Sequence, residues 1–187
     1  MDKEICELNV LQALQSSERL KRLLKALKSS GCPVVPSRHI ACIPCDGNQS
    51  SLLGGYDLEH NQVVICQNKC KTPKQVEEIL SHELVHLYDF CTTKLDFYNV
   101  EHLACTEIRA SSLVSCSLEF ENFFQHWSHA ECVKSKASKS VSVIKNLNSN
   151  DSREAVSRVF EKCYADLEPL GSKCSGTTFY NSRNRMK

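Results

Sequence analysis

An excess of either charge is missing from this sequence: 23 Lys and Arg stand against 22 Asp and Glu, a formal net charge of +1. No overall field draws such a chain toward nucleic acid or an anionic surface, and no nucleic-acid partner is expected. Glycine and proline are scarce, at 6 and 5 of 187 residues, which excludes collagen-like and low-complexity chains. Long apolar runs are absent as well. Uncharged stretches such as Gln62 to Gln67 fall far short of the roughly 20 residues that cross a bilayer. With 41% hydrophobic and 24% charged residues, the chain can still bury enough apolar surface to offset its ordering entropy.

Cysteine is the one residue in surplus, 12 in 187. The cysteines lie at 6, 32, 42, 45, 66, 70, 91, 105, 116, 132, 163 and 174, spread along the chain, and only Cys42 and Cys45 form a CxxC. A zinc ribbon wants two such pairs, and Cys66 and Cys70 have one residue too many between them. An even number of dispersed cysteines fits a disulfide framework made in an oxidising compartment; buried free thiols are the plainer alternative. Met1-Asp2-Lys3-Glu4 carries mixed charge with no apolar segment behind it, so neither a cleavable secretory signal nor an Arg-rich presequence is expected. The mitochondrial intermembrane space is one of the few compartments that fits both features.

The length suits a single domain over 1–187. Its expected parts are an N-terminal helix and Cys-rich segment over 1–50, a hairpin and site helices over 51–133, a polar loop over 134–150, and a C-terminal helix and tail over 151–187. Leu20, Leu23, Leu24 and Leu27 repeat at helical spacing inside a basic amphipathic helix expected over Leu8 to Lys28. That helix either packs on the core with a solvated basic face or lies on a membrane surface. Leu52 to Leu58 and Gln62 to Cys66 read as a hairpin around Glu59-His60-Asn61, with Gly54-Gly55 allowing a bend or a close backbone approach. Thr72-Pro73-Lys74-Gln75 combines an N-cap, a first-turn proline and a capping-box partner, so a helix starts there. A further helix is expected from Asn99 to about Cys116, then a Ser-, Lys- and Asn-rich loop over Ser135 to Asn150. A last helix is expected from Asp151, stopped near Pro169.

His82-Glu83-Leu84-Val85-His86 is an HExxH sequence. Four residues make about one helical turn, so both imidazoles aim at one metal ion, while the intervening Glu83 stands beside it as a base for a water activated by that metal. This is metalloprotease machinery with Zn2+ as the expected cofactor, and a hairpin upstream would offer a sheet edge on which to align a peptide. The expected fold class is α+β: a zincin-like arrangement with a small sheet or hairpin packed on the HExxH helix, further helices and disulfide bracing. A catalytic zinc takes three protein ligands. Glu107 is the choice for the third, because it shares a helical stripe with Leu103, Ala110 and Val114, where an uncompensated carboxylate is costly. His102 and Asp89 compete with it, Asp89 also being placed to orient a ligand histidine, and the plain alternative is a Glu107–Arg109 pair.

Gly54-Gly55-Tyr56-Asp57, Val64-Ile65-Cys66-Gln67-Asn68, His82 through Asp89 and His102 through Ala110 together resemble the mitochondrial inner-membrane protease and ATP synthase assembly factor family, also known as Ku-binding proteins. Glu107-Ile108-Arg109-Ala110 is similar to the second-helix glutamate motif of gluzincins. The resemblance implies a zinc endopeptidase of the intermembrane space, peripheral on the inner membrane, with His82 and His86 on zinc and Glu83 as the base. Its implied substrate is the precursor of a mitochondrially encoded ATP synthase membrane subunit, whose assembly it would also assist. It further implies cysteines oxidised during import, with an import oxidoreductase as a partner in biogenesis. Two other readings stand beside it: a non-proteolytic chaperone or assembly factor, and a partner of a DNA-repair complex.

Overall fold

Ser17 divides the N-terminal region into two helices where periodicity alone predicts one. In the computed structural model, which describes residues 2–45, 52–116 and 128–173, α1 (Asp2–Ser16) ends and α2 (Glu18–Ser29) begins around it. Ser17 is extended at φ −83° and ψ 115°, and its Oγ accepts from the Leu20 backbone N–H at 3.2 Å. The same hydroxyl donates to Glu77 Oε1 at 2.7 Å, which fixes the corner to the helix beneath. Ser16-Ser17-Glu18 is a helix-start signal, but it lies inside the single helix that the leucine repeat just after it suggests over Leu8 to Lys28. Leu20, Leu23 and Leu27 are fully buried, each worth about 1.5–3 kcal/mol, while Lys21, Lys25 and Lys28 face solvent.

A short helical turn, α3 (Pro36–His39), leads into β1 (Ile40–Ile43); β2 (Gly54–Asp57) and β3 (Gln62–Cys66) form the expected hairpin. The sheet order is β1-β3-β2, with β1 parallel and β2 antiparallel to the central strand. Asn61, at φ 52°, takes the left-handed conformation the turn requires, and Asp57 Oδ1 accepts from the backbone N–H groups of Glu59 and His60. Gly54 is where another part of the fold comes close. A Cβ there would stand 2.6 Å from both the Val64 carbonyl oxygen and Ile79 Cγ2, so only glycine lets β2 close onto the following helix.

That helix, α4 (Pro73–Thr92), opens with the predicted capping box between Thr72 and Gln75. It buries Val76, Leu80, Leu84 and Leu87 against α1, α2 and the sheet. After a connection it is followed by α5 (Val100–Ala110), capped by Asn99, and a π-helical turn over Ser111–Ser115. The polar loop expected over 134–150 is corrected by α6 (His129–Lys145). Val133, Ala137 and Val141 recur every fourth residue and are fully buried, so a narrow stripe packed on α5 and the last helix outweighs the loop-like serine content of the rest. Asn146, at φ 50°, ends α6 in the left-handed conformation. The last helix, α7 (Ser149–Ala165), starts before Asp151 because Asn148 caps it, accepting from the Asn150 and Asp151 N–H groups.

Two apolar clusters result. One gathers α1, α2, the sheet and α4; the other gathers α5, α6 and α7 around Leu103, Ile108, Val133 and Phe160. The architecture is α+β. Among the described residues five disulfides brace it: Cys6–Cys42, Cys32–Cys91, Cys45–Cys66, Cys105–Cys163 and Cys116–Cys132. They close sequence separations of 16 to 59 residues, each worth about 3–4 kcal/mol when the loop-closure entropy of the unfolded chain is counted. The CxxC pair is not a unit, since Cys42 and Cys45 go to different partners.

Ten of the 11 cysteines among the described residues are thus bonded. Alkylation of the denatured, unreduced protein, read by mass, should label at most Cys70 and Cys174, and full reduction should expose all 12 thiols. Gly54→Ala should lose about 1–3 kcal/mol in chemical denaturation. Gly55→Ala, with nothing within 4 Å of its added Cβ, should stay within about 0.5 kcal/mol of the parent.

Candidate metal centre

Helical register assembles the site. On α4 the one-turn spacing brings His82 and His86 edge-on with ring centroids 4.8 Å apart, and α5 crosses so that Glu107 faces both. Glu107 Oε1 lies 3.5 Å from His86 Nε2 and Oε2 lies 3.6 Å from His82 Nε2. These separations are too long for good hydrogen bonds. They are of the size that separates neighbouring donors around one ion, about 3.4 Å when each donor sits about 2.0–2.2 Å from it. One donor atom from each of the three residues lies within 4.8 Å of the others. Glu107 is 3% exposed, and its Oε2 is buried without a hydrogen-bond partner. Two imidazoles and an orphaned carboxylate oxygen form a donor set that suits a borderline cation such as Zn2+.

The backs of both rings are held. His86 Nδ1 lies 2.8 Å from Thr106 Oγ1, and that hydroxyl donates to Asp89 Oδ2 at 2.6 Å. Thr106 has one proton to give and Asp89, ion-paired with Arg109, accepts it, so Thr106 must accept from His86 Nδ1–H. The lone pair of His86 is thereby left on Nε2, facing Glu107. His82 Nδ1 is held by Ser115 Oγ at 2.8 Å. Arg109 reaches beyond Asp89 to Asp166 at 3.2 Å and to the Glu168 carbonyl, tying α4, α5 and the segment after α7 together.

Electrostatics separate the roles. Burial disfavours the charged imidazole at His86 and takes its pKa down to about 4, so the ring is a neutral donor. Burial raises Glu83 to about 7, with the Glu107 charge adding to it, while His82 and the Tyr56 backbone N–H work in the other direction. Burial also opposes ionisation of Glu107, yet His86 and His82 beside it hold its carboxyl below the usual range. At His82 burial opposes the proton, but Glu107 and Glu83 outweigh it and the pKa rises.

The structure therefore brings His82, Glu83, His86 and Glu107 together. Asp89 stands behind His86 rather than beside the donor atoms, and Arg109 pairs with Asp89 and Asp166 instead of Glu107. His102 is exposed at the start of α5 and accepts from the Asp96 N–H at 3.1 Å, away from the cluster. Thr106 and Ser115 carried no sequence signal beyond their places next to Glu107 and at the end of the expected helix. His126 and Trp127 lie outside the described residues.

The model of the Peptidase M76 family matches residues 4–171. The chain is 38% identical over 172 residues to the mitochondrial inner membrane protease ATP23 homolog of Homo sapiens, covering 89% of this chain and 69% of the relative. It is 38% identical over 172 residues to the Xenopus laevis protein of the same name, covering 89% and 72%. It is 36% identical over 179 residues to the mitochondrial inner membrane protease atp23 of Schizosaccharomyces pombe, covering 90% and 92%. No solved structure matches the chain.

Removing the Thr106 hydroxyl frees His86 to rotate and to change tautomer. Thr106→Val should weaken zinc binding about 10- to 100-fold in a chelator competition titration while circular dichroism shows an intact fold; undiminished affinity would remove Thr106 from the site.

Proposed function

The chain belongs to the Peptidase M76 family, a family of metallopeptidases, and we propose that it is a zinc endopeptidase in which His82, His86 and Glu107 hold the metal and Glu83 is the base. The observation that carries this reading is the buried Glu83 carboxylate, poised near pH 7 beside a trio of donors with one carboxylate oxygen unpartnered. Zinc, when bound, polarises a peptide carbonyl and makes a water molecule a stronger acid.

The rest is the work of this chain's own groups. Glu83 takes a proton from the attacking water and returns it to the departing amine, for which a pKa near the working pH is best matched. The Tyr56 backbone N–H faces that carboxylate from β2, so the sheet edge and the base occupy one place. An extended peptide laid along this edge would have its backbone aligned at Glu83. Thr106, Asp89 and Arg109 hold His86 against rotation throughout. A small sheet edge beside an HExxH helix, with a glutamate from the next helix, supports a zincin-like arrangement within one domain over 1–187.

The relatives named as mitochondrial inner membrane proteases support a location at that membrane. No described helix is long and apolar enough to cross a bilayer, and the five disulfides suit an oxidising compartment, so the location proposed is the intermembrane-space face, held peripherally. Processing of an ATP synthase membrane subunit precursor, with help in its assembly, is the finer reading supported by the resemblance of the motifs. Glu83→Gln should keep about one zinc per chain by elemental analysis and lose at least about 100-fold in the rate of protein cleavage. Cleavage preserved in a zinc-loaded Glu83→Gln chain would refute the assignment of the base.

A further inference from the structure

Beyond the metal ligands the catalytic face of α4 continues into aromatic residues that no step described so far uses. Phe90 lies four residues after His86, one helical turn further along the face that carries His82, Glu83 and His86. It is 45% exposed, although a buried position would remove a large apolar ring from water. β2 runs along the same face of α4. Gly54 sits over Ile79, and the Tyr56 N–H faces Glu83. The Tyr56 ring then meets Phe90 edge-on, with centroids 6.3 Å apart. Phe97, from the connection before α5, has its ring centroid 6.1 Å from that of Phe90. A continuous row, Tyr56–Phe90–Phe97, therefore leads away from the base with its central ring only half covered.

We infer that Tyr56, Phe90 and Phe97 form a specificity subsite that takes an apolar side chain of the peptide substrate, within reach of the bond that Glu83 serves. The inference rests on the endopeptidase reading and adds the substrate class. Tyr56 contributes in two ways: its backbone faces the base and its ring starts the row. A peptide strand following β2 would therefore turn alternate side chains toward α4, where the exposed face of Phe90 is the surface they meet. An aliphatic or aromatic side chain there displaces water from apolar carbon. A charged or strongly polar one would lose its hydration against two phenylalanine rings and a tyrosine whose hydroxyl proton is already given to Asn61 Oδ1.

Binding tests this without relying on turnover. The zinc-loaded Glu83→Gln chain would be titrated calorimetrically with an unstructured decapeptide series, each peptide identical to the next except for one Phe, Leu, Ser or Asp moved along positions 4 to 7. At one position, Phe and Leu should bind about tenfold or more tighter than Ser and Asp. Phe90→Ser in the same background should abolish that discrimination, and Phe90→Leu should retain most of it, with zinc content unchanged in both. Equal affinities at every position, or discrimination surviving in the Phe90→Ser chain, would overturn the subsite. Cleavage by the chain with Glu83 intact separates the two claims. Selective binding without cleavage removes the endopeptidase reading and leaves the subsite, whereas cleavage without selective binding does the reverse.

Discussion

Everything near the centre of this fold answers to one buried carboxylate. Glu107 sits on the apolar face of α5, where an unmatched charge costs several kcal/mol. One arginine is buried close by, yet Arg109 is committed to Asp89 and Asp166, so it compensates a different carboxylate. What faces Glu107 is His86, neutral because burial takes its pKa to about 4, and His82, which Glu107 and Glu83 together push toward the protonated form. Glu83 adds a second acidic group, kept near a pKa of about 7 by the same burial. Two acids and two imidazoles thus share one dry volume, where protons on His82 and Glu83 are what offset the acidic charge, and a divalent cation among them would take over that part. The proposed metal is the group that makes an otherwise expensive constellation affordable.

How far the sequence discloses this depends on the range of the signal. The capping box at Thr72 and the HExxH spacing are local, so the helix and the shared face of His82 and His86 follow from residues a few positions apart. Glu107 was legible because a lone acid in an apolar stripe is itself a signal. What it would face was not, since that depends on how α5 crosses α4. Thr106 and Ser115 were silent for the same reason, as hydroxyl residues are common and only the crossing aims them at ring nitrogens. The helix α6 was missed on the opposite ground. Its buried stripe of Val133, Ala137 and Val141 is small and narrow, and the serines and lysines around it read as a loop until the partner helices are in place. At Ser17 the reverse happened: a strong long-period pattern hid a one-residue cap.

The disulfides leave one boundary of the fold without a covalent cross-link. Three of them join residues up to Cys91, and the other two join residues from Cys105 onward, so none of the five links α4 to α5. The two histidines come from one side of that boundary and Glu107 from the other. Across it run the apolar contacts of Ala110, Leu113 and Val114, the Thr106–Asp89 hydrogen bond and the Arg109–Asp89 pair. Apolar contacts tolerate small slides, whereas a hydroxyl shared between a carboxylate and one ring nitrogen does not. The polar links therefore set the register at which Glu107 meets the imidazoles. A cation held by all three would add the remaining cross-link at the place where the covalent bracing stops, coupling metal affinity to the docking of α5 on α4.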